Sequence, residues 1–266
     1  MAGQPRIMIE AESLSKYYGT FVAVENISFS IPEGQIVAFL GPNGAGKSTT
    51  MKLLTGYISP TRGRAKIGGV DVQSNRIAAS RKLGYLPENG PLYTDMTPAE
   101  SLAFFGEARG MEKSQLRSSI DYVNHLCELG EVMEEPIGKL SKGYRQRVGL
   151  AQALLHNPEV IIMDEPTAGL DPNQIRAFRD NLQELGKTRT VLISTHILQE
   201  AEAVADRVLL VHEGKLVFDG KPDDLKGDYS MEERFYLLTG HGDGRASSVQ
   251  LDQSSPTQGI DSPGEM

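Results

Sequence analysis

The chain has 266 residues, enough for one large α/β domain or two small ones. A hydrophobic share of 39% can fill a core, which excludes a chain disordered throughout. The formal net charge is −8, from 27 basic and 35 acidic residues, and this argues against a nucleic-acid partner held mainly by charge.

Cys127 is the only cysteine, so no intramolecular disulfide can form, and the composition suits a reducing cytosol. It falls in a helical apolar stripe and is expected to be a small core residue. No apolar run approaches the roughly 20 residues needed to span a bilayer. Met1 to Glu10 lacks the apolar centre of a signal peptide. The expectation is a soluble chain whose membrane role, if it has one, requires a partner.

In chain order, Met8 to Leu14 and Phe21 to Phe29 read as strands. Tyr17 and Tyr18 lie between them, just before Gly19. An aromatic ring here could stack on a purine, or the pair could be surface tyrosines before a turn; spacing alone does not choose. Ile31-Pro32-Glu33-Gly34 is a turn into Ile36-Val37-Ala38-Phe39-Leu40, whose unbroken apolarity predicts a strand buried on both faces.

That strand runs into Gly41-Pro42-Asn43-Gly44-Ala45-Gly46-Lys47-Ser48-Thr49, which fits G-x-x-x-x-G-K-[ST], and Thr49 to Leu54 can open a helix. Strand, glycine loop and helix together make a phosphate-binding P-loop. Glycines let successive N–H groups converge on a β-phosphate, and the helix N-terminus adds partial positive charge. Lys47 supplies a mobile cation for the β- and γ-phosphates. The Ser48 hydroxyl is a candidate Mg²⁺ ligand, and Thr49 is a candidate donor to the α-phosphate.

Arg64 to Gly68 reads as a short strand after a turn, and Gly84 to Pro91 as a loop and boundary. Thr97-Pro98-Ala99-Glu100 is a capping box with Pro at the first helical position, opening a helix that ends by Gly110. Leu116, Ile120, Val123 and Cys127 share one face of a second helix, with Gly130 as its stop. Ser141 caps a third helix, which ends at Asn157-Pro158. Taken alone, Leu140 to Arg147 reads as an ordinary capped helix start, with anion binding as the alternative.

Val160 to Met163 is a second buried strand, closed by Asp164 and Glu165, where parallel sheets bind ligands. Beside a P-loop, Asp164 would hold Mg²⁺ and Glu165 would deprotonate an attacking water. Val191 to Thr195 is a third such strand ending in His196, and Val208 to Val211 a fourth before a hairpin at His212 to Lys215. Helices between apolar strands imply a mostly parallel sheet covered on both faces. From about Gly240 the composition predicts a disordered tail over 241–266.

The P-loop, Leu140-Ser141-Lys142-Gly143, Met163-Asp164-Glu165-Pro166 and Thr195-His196, in this order, resemble the nucleotide-binding subunit of an ATP-binding cassette (ABC) transporter. The resemblance covers about Met8 to Phe218. It implies a P-loop NTPase fold of α/β class, with an N-terminal antiparallel β subdomain and an inserted helical subdomain at about 89–157 of an ATPase domain over 1–240. It implies that Tyr18 stacks on adenine, that Gly41 to Thr49 binds ATP, and that Asp164 and Glu165 serve Mg²⁺ and catalysis. Ala168 to Asp171 matches the D-loop and His196 the histidine at the γ-phosphate.

Ser141 and Gly143 match the signature that binds the γ-phosphate of the opposite subunit, so a homodimer or pseudo-dimer is implied. The family signature is L-S-G-G-Q; here it reads Leu-Ser-Lys-Gly-Tyr, which adds a positive charge at Lys142. Glu88 stands where the family carries Gln and remains a candidate ligand to Mg²⁺ or a water. Leu140 to Pro172 resembles the ATPases of bacterial exporters of the drug-efflux, gliding-motility and nitrous-oxide-reductase-maturation group. The resemblance therefore implies separate integral membrane permease subunits, no nucleic acid, and a peripheral place on the cytoplasmic face of the plasma membrane. A non-transport ABC ATPase and a P-loop phosphotransferase are the rival readings.

Overall fold

A computed structural model describes residues 5–226 and 229–240. The chain opens with an antiparallel pair, β1 (Ile7–Tyr18) and β2 (Phe21–Pro32). Next come β3 (Ile36–Leu40) and α1 (Lys47–Leu54). Two short strands follow, β4 (Arg62–Ile67) and β5 (Val70–Asp71), then α2 (Arg76–Lys82) and β6 (Leu83–Leu86). Three helices, α3 (Pro98–Ala108), α4 (Lys113–Leu126) and α5 (Lys142–Leu154), intervene before β7 (Val160–Asp164). The remainder is α6 (Pro172–Gly186), β8 (Thr190–Thr195), α7 (Leu198–Val204), β9 (Arg207–His212), β10 (Lys215–Gly220), α8 (Pro222–Lys226) and α9 (Met231–Leu238).

Two sheets result. One is antiparallel, in the order β2-β1-β4-β5. The other runs β10-β9-β3-β8-β7-β6, parallel throughout except for the edge strand β10. The apolar strands β3, β7, β8 and β9 occupy its centre because both of their faces are covered. Alternate residues divide between two cores. Ala38, Leu40, Ile161, Met163 and Ile193 face the cluster that includes α5 and α6. Val37, Phe39, Ile162, Leu192 and Leu209 face the cluster shared with α1 and the antiparallel sheet. Full burial of a valine, leucine, isoleucine, methionine or phenylalanine among them stabilises by about 1.5–3 kcal/mol, and a buried polar group without a partner is costly on either face.

Several sequence expectations change in detail. Tyr17 and Tyr18 belong to β1, because it extends to the tight turn at Gly19-Thr20. Gly84 to Leu86 is not loop but most of β6, paired in parallel with β7. Gly84 is required there: a Cβ would stand 2.5 Å from the Ala153 carbonyl of α5, so the glycine marks close packing and not a turn. The stop of α4 comes before Gly130: Cys127 caps the helix and Glu128 takes the left-handed turn at φ 51°.

The predicted capping boxes and stripes have clear causes. The Thr97 hydroxyl accepts from Glu100 N and the Glu100 carboxylate accepts from Thr97 N, fixing the start of α3. Leu116, Val123 and Cys127 are buried against α3 and α5, and Ile120 is partly buried beside them. Burial pushes the Cys127 thiol up to about 12, so it is an inert core residue. Among the described residues no helix is long and apolar enough to cross a membrane. The 241–266 segment lies outside the described residues.

Candidate functional site

The end of β3 leads directly into a tight loop and then α1, and the loop sits close against its neighbours. Gly41 cannot carry a Cβ, which would collide with the Val211 carbonyl of β9. Gly46, at φ 101°, caps α1, and a Cβ there would come within 2.5 Å of the Ala23 carbonyl. These two positions are glycine because two other strands press on the loop. Gly41 N donates to the Thr195 carbonyl (3.3 Å) and Gly214 N donates to the Ala45 carbonyl (3.0 Å), so the loop is tied to β8 and to the β9–β10 turn.

The loop borders a cleft of about 380 Å³, whose walls include Asn43, Gly44, Gly46, Lys47, Ser48 and Thr49. Pro42 and Ala45 shape the loop without lining the cleft. Glu88, Glu165, Ala168 and His196 also line it, as do Phe21 and Ala23. Residues from five separate stretches of sequence therefore converge on one cavity.

Lys47 is only 5% exposed. Its ammonium donates to the Gly41 carbonyl (2.9 Å) and the Pro42 carbonyl (3.2 Å), and pairs with Glu165 Oε1 at 3.1 Å. Glu165 is 8% exposed, and its other oxygen, Oε2, lies 2.8 Å from His196 Nδ1. One buried carboxylate is thus held between an ammonium and an imidazole. Glu165 adopts φ 48°, a left-handed conformation that costs about 1–2 kcal/mol for a non-glycine residue. Its N–H donates to Ser194 Oγ (3.0 Å), and this contact fixes the strained turn at the end of β7.

Asp164 lies buried behind Ser48, whose hydroxyl donates to Asp164 Oδ1 (3.2 Å). Ser194 Oγ donates to the same oxygen at 2.5 Å. Among the described residues no cluster of three His, Cys, Asp or Glu side chains could hold a metal. Mg²⁺ does not need one: it keeps waters and phosphate oxygens and takes one or two protein oxygens. The hydroxyl and carboxylate side by side at Ser48 and Asp164 fit that requirement.

Other predicted residues stand elsewhere. Tyr18 is 51% exposed and does not line the cleft; the Lys16 ammonium lies 5.2 Å from the centre of its ring. Its cross-strand neighbour Phe21, 63% exposed, is the aromatic that lines the cleft. Ser141 caps α5 by accepting from Tyr144 N (3.3 Å), and neither it nor Gly143 reaches the cleft. The backbone of Gly143 packs against the Gln174 side chain, and Lys142 reaches over Gly169. Gln146 Nε2 donates to the Pro166 carbonyl (2.9 Å), tying α5 to the loop after Glu165.

Phe21 and Ser194 are the site residues that sequence reasoning missed. Ser194 had a signal: a hydroxyl inside an otherwise apolar strand that pairs with Asp164 in register. Phe21 had none, because an aromatic at the head of a strand reads as sheet packing.

The comparisons with known proteins agree on one family. The ABC transporter profile matches residues 24–168. The chain is 41% identical over 219 residues to the uncharacterized ABC transporter ATP-binding protein YxlF of Bacillus subtilis, covering 82% of this chain and 72% of that protein. It is 36% identical to the probable multidrug ABC transporter ATP-binding protein YbhF of Escherichia coli, covering 85% of this chain but only 39% of that longer protein. A solved structure of an ATP-binding subunit of an ABC transporter superposes with a TM-score of 0.79 at 31% identity, covering 87% of this chain and 99% of that one. With the P-loop, the buried Glu165 and the mixed sheet in place, the chain belongs to the ABC transporter family, as an ATP-binding subunit that hydrolyses ATP.

Proposed function

We propose that this subunit hydrolyses MgATP at the interface of a head-to-tail dimer and drives a separate membrane permease, in the direction of export. The observation that carries the reading is the convergence of Lys47 and His196 on the two oxygens of Glu165, at the wall of the P-loop cleft. Glu165 is the base that takes the proton of the attacking water. Lys47 leaves its P-loop carbonyls for the β- and γ-phosphate oxygens, and this frees one carboxylate oxygen to accept that proton. His196 holds the other oxygen and stands ready to donate to the γ-phosphate as charge develops. Asn43 to Thr49 supply the backbone and side-chain donors around the phosphates.

Ser48 and Asp164 would hold Mg²⁺, with Glu88 lining the same cleft. When bound, the ion neutralises charge on the β- and γ-oxygens. Phe21 and Tyr18, neighbours across the first hairpin, would seat the purine. Ser141 and Gly143 complete the site of the opposite subunit, because in their own chain they stand apart from the cleft. The likeness to a probable multidrug ABC transporter ATP-binding protein supports the export reading, and a peripheral position on the cytoplasmic face of the plasma membrane goes with that reading.

The reading is tested by co-purification from detergent-solubilised native membranes through a C-terminal tag. A multi-spanning protein at near one-to-one ratio is the expected outcome. Ribosomes, DNA or no membrane partner, from a chain that still hydrolyses ATP, would replace the transport reading with a non-transport one.

A further inference from the structure

Glu200, in the first turn of α7, is 3% exposed and takes no part in the chemistry above. Its Oε2 accepts from Thr195 Oγ1 (2.8 Å), while its Oε1 is buried with no partner among the described residues. A carboxyl group removed from water with one oxygen unsatisfied is costly, and a leucine would fill the volume without that cost. Its presence at a buried position calls for a cause, and the hydrogen bonds around it supply one.

Thr195 ends β8 and His196 follows it. The Ile197 N–H donates to Thr195 Oγ1 (3.0 Å), so that hydroxyl acts as acceptor on one side. It carries a single proton, and Glu200 Oε2 receives it. The Thr195 carbonyl accepts from Gly41 N, at the start of the P-loop. The residues flanking His196 are therefore held on both sides, by a relay that ends on the buried Glu200. The His196 ring itself is partly open to solvent, and Nδ1 lies 2.8 Å from Glu165 Oε2.

We infer that Glu200 is a positioning residue: through the Thr195 hydroxyl it fixes the backbone that aims His196 at Glu165 and at the phosphate beyond. The inference rests on the proposed role of His196. Removing the carboxyl group frees the Thr195 hydroxyl to rotate, loosens its hold on Ile197 N, and lets the imidazole drift while the P-loop stays intact.

The test is steady-state ATP hydrolysis by Glu200→Ala, Glu200→Gln, His196→Ala and the double variant Glu200→Ala/His196→Ala. Glu200→Ala should lower kcat about tenfold, the scale of one lost hydrogen bond, with KM for ATP unchanged within about twofold. Glu200→Gln keeps an acceptor oxygen and should recover most of that rate. In the His196→Ala background, Glu200→Ala should cost nothing further, because its route to the chemistry is gone. An equal loss in both backgrounds, or no loss in either, overturns the inference. If Glu200→Ala does not fold, Thr195→Val cuts the same relay and the same cycle is run with it. Full activity in His196→Ala alone would instead remove the proposed role of His196, a separate failure.

Discussion

The P-loop cleft and the Leu140–Gly143 segment both present donors at the N-terminus of a helix, yet the fold treats them in opposite ways. Around the cleft, five stretches of chain converge and bring Lys47, Ser48, Glu165 and His196 to the walls of one cavity, where Lys47 and His196 both contact Glu165. At the other segment, Ser141 and Lys142 lie exposed, Gly143 rests on Gln174, and neither Ser141 nor Gly143 lines the cleft. The cleft holds a buried carboxylate paired with an ammonium, whereas the other segment presents a capped helix start beside an exposed lysine. In the proposed head-to-tail dimer, a second copy facing the other way would join each segment to the cleft that its own chain keeps apart from it.

The largest effect should come from the half that holds the chemistry. Glu165→Gln removes the base but keeps the shape, so phosphate release should fall by about 10²–10⁴-fold, while binding of ATP, followed by equilibrium dialysis, persists. Wild-type turnover in that variant would remove Glu165 from the mechanism.

The comparison is sharpest when the two halves are damaged on separate chains. Lys47→Ala and Ser141→Arg should each be nearly inactive alone. Mixed, they should pair as the proposed head-to-tail dimer with one composite site intact, and hydrolysis should reappear at roughly half the per-dimer rate. If mixing restores nothing, the halves do not combine across subunits.

Within the cleft, the two aromatics of the first hairpin can be separated. The chain contains no tryptophan, so Phe21→Trp and Tyr18→Trp each install a sole reporter. ATP should quench the Trp at 21, and tripolyphosphate, which has no base, should not. Phe21→Ala should weaken ATP binding by about 1–2 kcal/mol, the scale of one base–aromatic stack. Quenching confined to position 18 would assign the base to Tyr18 alone.

The smallest effect lies outside both halves. His156 donates from Nε2 to the Leu83 carbonyl (3.0 Å) at the packing of α5 on β6. Burial, reinforced by the Arg109 charge, lowers its pKa from 6.5 to about 4. The unfolded chain takes up the proton first, so this contribution is fully present above pH 6.5 and is lost as pH falls from about 6.5 toward 4. Chemical unfolding across that window should lose about 1–2 kcal/mol, allowing for partial exposure of the ring. His156→Gln should flatten the fall and leave nucleotide binding unchanged.

Local chemistry was enough for much of this protein. Short apolar runs bounded by turn signals favour strands covered on both faces, so β3, β7, β8 and β9 were legible from the sequence. A strand–glycine loop–helix with Lys47 and Ser48 has one efficient use, and Asp164 and Glu165 at a strand end announce themselves beside it. Capping boxes fix helix starts through side chains within three residues, and Thr97 behaved as read. What the sequence could not decide depends on residues far apart in the chain. Gly84 reads as a turn because nothing local shows the Ala153 carbonyl pressing on it. Phe21 rather than Tyr18 walls the cleft because the twist and turn of the first hairpin bring it there. Ser194 and Glu200 take their roles from partners that only the parallel register and the packing of α7 supply. Periodicity and motif chemistry are properties of neighbours along the chain. Proximity across strands is set by long-range packing, and the placement of a catalytic group depends on it.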